Sequence, residues 1–184
     1  METTEKIVES YCRYVKGWFT ISNIKCSGQY EIDLLAVDTS SDEGLKRYHI
    51  ESGVSISVAY SKLTAKQFSP ERLKKRVEQA GQRRTIGYFI NRKFGSREVL
   101  SELEKYGFKE GNYSKVIVIW GWEEEAKEQA DREGIILWDF RNIVREIAKV
   151  CCGIRTYFTD DTLRTIQLFV RAEQQRGVGE EGFR

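Results

Sequence analysis

One proline, one histidine and one methionine stand among 184 residues, and each scarcity narrows what the chain can be. The four cysteines, Cys12, Cys26, Cys151 and Cys152, form no Cys-x-x-Cys pair. With His49 as the sole histidine, the usual structural zinc spacings are excluded, and buried free thiols are the expectation. No apolar run reaches the ~20 residues that a transmembrane helix needs, and the N-terminus lacks a signal-peptide core. These absences point to a cytoplasmic protein with no membrane partner. There is no repeat and no low-complexity linker, so the length predicts one main domain. We place that domain at residues 1–150, followed by a C-terminal helical extension over 151–184 with a frayed tail.

A formal net charge of +2 hides a strong asymmetry. Residues 60–100 hold eleven Lys/Arg against three Asp/Glu, whereas both flanking segments are acidic. The basic block contains Lys74, Lys75 and Arg76, then Arg83 and Arg84, then Arg92 and Lys93. A solvated helical face would account for such a run. Placed beside an acidic site, it would instead hold the phosphates of a nucleic acid.

Hydrophobic periodicity gives an alternating order of helices and strands. A first helix capped by Thr3 or Thr4 carries Ile7, Tyr11, Tyr14 and Trp18 on one stripe and ends at Gly17. Segments 18–26, 30–38 and 48–58 alternate as strands joined by short turns, which predicts an antiparallel meander. Ser69-Pro70 starts a helix reaching about residue 80, and 85–94 also reads as helix. A further helix begins at Ser96, and 115–120 is a buried strand. The order helix 123–133, strand 135–138, helix 140–150 implies a parallel crossover. The result is an α/β fold: a mixed central sheet of antiparallel meander plus parallel strands, flanked by helices. The last helix, 159–172, carries enough apolar surface to dock on the core or to build a homodimer.

The chemistry lies in two of the meander strands. Gly28-Gln-Tyr-Glu31-Ile-Asp33-Leu-Leu-Ala-Val37 and Arg47-Tyr-His49-Ile-Glu51-Ser-Gly-Val54 put Glu31, Asp33 and Glu51 into otherwise apolar runs. Carboxylates are rarely buried without a partner. Side chains at i and i+2 of a strand share a face, so Glu31 and Asp33 can point together, with Glu51 opposite on the next strand. Carboxylates so close repel unless a cation intervenes. A Mg²⁺ or Mn²⁺ ion would resolve the conflict, because Mg²⁺ takes one or two carboxylates and keeps its waters. Such an ion also positions and acidifies a water beside a phosphodiester. The bland counterparts are a salt bridge from Glu31 to an arginine at the sheet edge and an exposed helix position for Glu9. His49 shares the face of Glu51, which suits a supporting role. Trp120, Trp122 and Trp138 suit core packing better than base stacking.

Gly28-x-x-Glu31-Ile-Asp33 followed by Ile50-Glu51 resembles the PD-(D/E)XK nuclease superfamily, with its restriction-endonuclease-like core. The similarity covers residues 4–121, about two-thirds of the chain. The Holliday-junction-resolvase and Mrr-like branch is the nearest flavour. This resemblance implies Asp33 and Glu51 as metal ligands, with the Ser52 carbonyl as a third. Glu9 would be the helix-borne acid, and duplex or branched DNA the partner.

The departure is at Gly53. Two residues after the strand acid, the family carries a lysine that orients or deprotonates the attacking water and stabilises charge on the phosphate. Glycine does neither. A metal-dependent DNA endonuclease impaired as written is one reading. An inactive nucleic-acid-binding or assembly module is the alternative. A third is a cation recruited from elsewhere, such as Lys25, Lys62 or the basic block. The impaired-nuclease reading expects a Gly53→Lys variant to gain cleavage, and the module reading expects no gain.

Overall fold

The first helix starts one residue earlier than threonine capping predicts. In the computed structural model, which describes residues 2–42, 44–55, 57–154 and 156–179, α1 is Thr3–Ser10 with Glu2 as N-cap. The backbone N–H of Glu2 donates to Glu5 Oε2 at 2.9 Å, so a carboxylate three residues on satisfies the N-cap. The helix widens into a π-helical turn at Tyr11–Val15 and stops at Gly17, whose φ of +73° suits glycine. Val8, Tyr11 and Cys12 form its buried stripe.

Strands β1 (Phe19–Lys25), β2 (Glu31–Asp38) and β3 (Lys46–Ser52) make the expected antiparallel meander. The third strand is shorter than its alternation suggests. The Gly53 N–H still donates to the Val118 carbonyl at 2.8 Å, and the partner strand ends one residue later, at Ile119. A short β4 (Lys62–Leu63) follows, then α2 (Pro70–Leu73) and α3 (Arg76–Gln82). Ser69 caps α2 by accepting from the Arg72 N–H at 3.3 Å. One helix was expected over 70–80. Lys75 adopts extended backbone and splits it, and Val77 stays exposed, so no buried stripe sustains a continuous helix.

Segment 85–94 is helical as α4 (Ile86–Tyr88) and a π-helical turn at Phe89–Phe94, leading to α5 (Arg97–Lys105). Then come β5 (Ser114–Ile119), β6 (Gly121–Trp122), α6 (Glu124–Arg132), β7 (Ile135–Asp139), α7 (Phe140–Gly153) and α8 (Asp161–Gly179). The main sheet has order β1-β2-β3-β5-β7; β5 runs parallel to β3 and to β7, as the crossover predicted. β4 and β6 form a small parallel pair. The chain is therefore an α/β fold with a five-stranded mixed sheet flanked by helices.

Helices α1, α7 and α8 cover one sheet face through Val8, Leu34, Ile50, Val116, Ile147 and Leu163. The other face is filled by Phe89, Phe94, Ile117 and Ile119 towards β5, and by Leu35, Val99 and Leu103 towards β2. Helix α7 passes through position 150 without a break, and Leu163 of α8 is buried with the rest of that core. The extension expected over 151–184 thus packs on the main body, while Leu168 and Phe169 remain exposed. The expected frayed tail lies partly beyond the described residues. Among those residues, no helix is long and apolar enough to cross a membrane.

Candidate active site

Two rungs of the meander bring the acids together. Leu34 pairs with Ile50 across β2 and β3, so Asp33 and Glu51 stand one step further along on the opposite sheet face. The Ser52 N–H donates to Asp33 Oδ2 at 2.8 Å, and the Asp33 N–H points to Glu51 Oε1 at 3.4 Å. Asp33 is 6% exposed and Glu51 is fully buried. This is the juxtaposition that strand alternation anticipated.

The cation between them comes from elsewhere in the chain. Lys93, on the π-helical turn at Phe89–Phe94, places its ammonium 2.9 Å from Asp33 Oδ1 and 2.5 Å from Glu51 Oε2. It also donates to the Glu31 carbonyl at 3.3 Å. Lys93 was expected on a DNA-binding surface; instead its side chain is only 13% exposed. A signal for this was present in the sequence. Ile86, Phe89, Ile90 and Lys93 fall at i, i+3, i+4 and i+7, which puts the lysine on an apolar helix face.

The charges do not balance. Burial, followed by the charge of Glu51, pushes Asp33 up to about 7, against the pull of Lys93. Burial raises Glu51 as well. Burial alone would lower Lys93, but its two carboxylate partners outweigh that and hold its proton firmly. These tendencies compete: the ammonium favours two ionised acids, and burial favours neutral ones. One lysine neutralises one carboxylate, so the second keeps a proton near neutral pH or needs another cation.

His49 supports Glu51 from behind. It is fully buried, packs edge-on against Phe94 at 4.9 Å between ring centres, and has Nε2 2.7 Å from Glu51 Oε1. Burial first, then Lys93, lowers its pKa to about 3, so the ring is neutral. An Nε2–H donated to an ionised Glu51 is the tautomer that fits. That bond leaves Oε2 facing Lys93.

Position 53 is tightly packed. A Cβ at this position would lie 2.8 Å from Phe89 Cζ and 2.9 Å from Ile119 Cδ1. Its carbonyl accepts from Arg84 Nη1. Phe89 belongs to the helical segment that delivers Lys93, so the absence of a side chain at position 53 leaves room for that segment.

Asp33, Ser52, Gly53 and Lys93 line an open hollow of about 130 Å³, shared with Glu2, Glu5, Glu31, Arg83 and Arg84. The α1 acid in this hollow is Glu5, whose pKa is raised by burial and then by Asp33. Glu9, the residue expected there, instead accepts from the Thr20 hydroxyl at 3.2 Å and is not among the lining residues. It lies one helical turn further on, beside Thr20 of β1. Glu31 pairs with Lys25 rather than with an arginine.

The remaining basic residues divide. Arg83 is exposed and lines the hollow, Arg84 is half-buried, and Lys74 is exposed. Lys75 pairs with Glu78 at 3.4 Å, and Arg76 is exposed. Arg92 lies over the Tyr30 ring at 4.3 Å. Gln82 is structural, accepting from the Ser69 N–H at 2.7 Å. Cys12 and Cys151 are buried free thiols, whereas Cys152 is exposed. Trp18 stacks on Tyr48 at 4.4 Å and Trp138 meets Tyr11 edge-on, which is core packing.

Among the described residues, no group of three or more His, Cys, Asp or Glu side chains converges as a metal cage. The donor set that does converge is two carboxylates, which is what a magnesium-type ion asks of a protein.

No family model matches the sequence, and no curated protein does. A crystal structure of a protein of unknown function, AF1548, is similar at 18% identity and a TM-score of 0.47, over 97% of this chain and 98% of that one.

Proposed function

We propose that this chain is a metal-dependent DNA endonuclease of the PD-(D/E)XK kind, with its lysine supplied by Lys93 rather than by position 53. The observation that carries this reading is the Lys93 ammonium, 2.9 Å from Asp33 and 2.5 Å from Glu51. The order α1, β1, β2, β3, helix, β5 and the parallel pairing of β3 with β5 support a restriction-endonuclease-like core.

In this mechanism Asp33 and Glu51 would hold Mg²⁺ or Mn²⁺, with the Ser52 carbonyl as a further ligand; an ion bound there would supply an acidified water and offset phosphate charge. The protein does the rest. Lys93 keeps its proton, so it acts as a fixed positive charge: it stabilises the negative charge that builds on the phosphate oxygens and is not the base. His49 fixes the rotamer of Glu51 through Oε1. Arg83, at the rim of the hollow, and exposed Lys74 and Arg76 hold the flanking phosphates of duplex or branched DNA. We place a two-fold contact between copies at the exposed Leu168 and Phe169, which light scattering reads directly.

The test is a plasmid and branched-DNA cleavage assay with Mn²⁺ and with Mg²⁺. It compares the natural chain with its Lys93→Ala and Asp33→Ala variants. Cleavage by the natural chain and loss in both variants is the expected result. DNA that shifts on a gel but is cut under neither metal would replace this reading with a non-cleaving binding module.

A further inference from the structure

A second cavity opens off the catalytic hollow. It has a volume of about 610 Å³, and Glu31, Arg83, Tyr88 and Lys93 belong to the walls of both. This lies within the roughly 300–1,000 Å³ of sites that enclose a small ligand.

Its lining combines two chemistries. Tyr30, Phe68, Leu73 and Tyr88 give it apolar and aromatic walls. Lys74 and Arg92 join Arg83 as cationic side chains, and Lys93, already paired with Asp33 and Glu51, stands in the shared wall. Against them stands one carboxylate, Glu31, already paired with Lys25. Phe68 and Tyr88 meet edge-on with ring centres 5.9 Å apart. Phe68 is held close to α4: a Cβ at Gly87 would come within 2.8 Å of the Phe68 Cβ. On the other side, the Arg92 guanidinium lies 4.3 Å from the Tyr30 ring centre, a flat cationic and aromatic surface.

Flat aromatic walls receive a nucleobase, cations receive its phosphate, and the shared wall leads straight to the carboxylates. We propose that this cavity holds one unpaired nucleotide of a DNA strand whose neighbouring phosphate sits at Asp33, Glu51 and Lys93. The inference rests on the nuclease reading of that hollow and adds the substrate class. A base inside a continuous duplex is stacked and paired, and it reaches an inward cavity only by leaving the stack. The preferred substrate therefore carries an unpaired nucleotide beside the cut: a bulge, a flap or a branch point.

The experiment uses the full chain and a DNA duplex with 2-aminopurine as a single-nucleotide bulge, beside the same duplex fully paired. Binding is measured in EDTA, where no cleavage intrudes, and cleavage is then measured with Mn²⁺. The bulged duplex is expected to bind about tenfold more tightly, with its fluorescence quenched by stacking. Phe68→Ala and Leu73→Ala should each remove that preference, a loss of about tenfold for the bulged DNA. Both should leave binding of the paired duplex unchanged. Thermal melts verify that each variant is folded, and either folded variant suffices. Equal affinity for the two duplexes, or a preference that survives substitution, overturns the proposal. Cleavage without any preference would sink the pocket and spare the nuclease. A preference without cleavage would sink the nuclease and spare the pocket.

Discussion

Lys93 and Asp33, sixty positions apart in the chain, form an ion pair of 2.9 Å that is almost closed to solvent. The pair joins a π-helical turn to the second strand of the sheet, and with Glu51 it makes a three-member charge cluster. Removing the ammonium leaves two buried carboxylates without a protein cation. Lys93→Met should therefore cost about 3–5 kcal/mol of stability in metal-free buffer. Adding Asp33→Asn to that variant should recover part of the loss, because one buried charge goes with it. Urea denaturation of the four members of this cycle reads the coupling. Cleavage should be absent from every member except the natural chain.

Gly53 is packed under the side chains of Phe89 and Ile119. Gly53→Lys should restore nothing; it should lower stability by about 1–3 kcal/mol through overpacking. Gly53→Ala should show much of the same loss, since the conflict begins at Cβ. Melting curves with a parallel cleavage assay distinguish this outcome from a gain of activity, which would place the functional lysine at position 53 after all.

Helix α1 offers two acids one turn apart, and only Glu5 lines the hollow. Glu5→Gln should reduce cleavage by roughly tenfold, in the range of groups that support a metal ligand. Glu9→Gln should leave it unchanged and cost at most a few tenths of a kcal/mol for its bond to Thr20, about the effect of an ordinary surface change. Initial-rate measurements at saturating Mn²⁺ and at limiting Mn²⁺ test both variants.

Asp33 and His49 respond to pH in opposite directions. Burial lifts Asp33 to about 7, above its ordinary value. The stability it contributes is fully present at low pH and is lost as pH rises through about 7. His49 is lowered to about 3, so its contribution is present above its ordinary value and lost as pH falls towards 3. A divalent ion must displace the proton on Asp33. Apparent Mn²⁺ affinity should thus rise by about tenfold per pH unit up to about 7 and level off above it. Calorimetry in two buffers of different ionisation enthalpy should show proton release on binding below that pH. An affinity independent of pH between 5.5 and 7 would mean that Asp33 is already ionised in the metal-free protein.

Much of the scaffold was legible in the chain. Alternation in 18–26, 30–38 and 48–58 gave three neighbouring strands, and the i, i+2 rule with a meander gave the meeting of Asp33 and Glu51. His49 was placed beside Glu51 by the same alternation. Strand periodicity is local, and adjacent strands are joined by short turns, so these contacts needed little knowledge of the whole fold. The limits of β3 and the break between α2 and α3 escaped because they depend on where other strands end and on which apolar residues find a core.

The sequence by itself determined the α/β alternation, the acidic pair and the glycine two residues after Glu51. Only the tertiary structure decided which cation answers that pair, which acid of α1 reaches the hollow, and that an aromatic, cationic cavity opens beside it. The reason is distance along the chain. Lys93 reaches Asp33 only because the helical segment crosses the sheet face over Gly53, and where a helix lies on a sheet is fixed by packing, which no short stretch of sequence encodes.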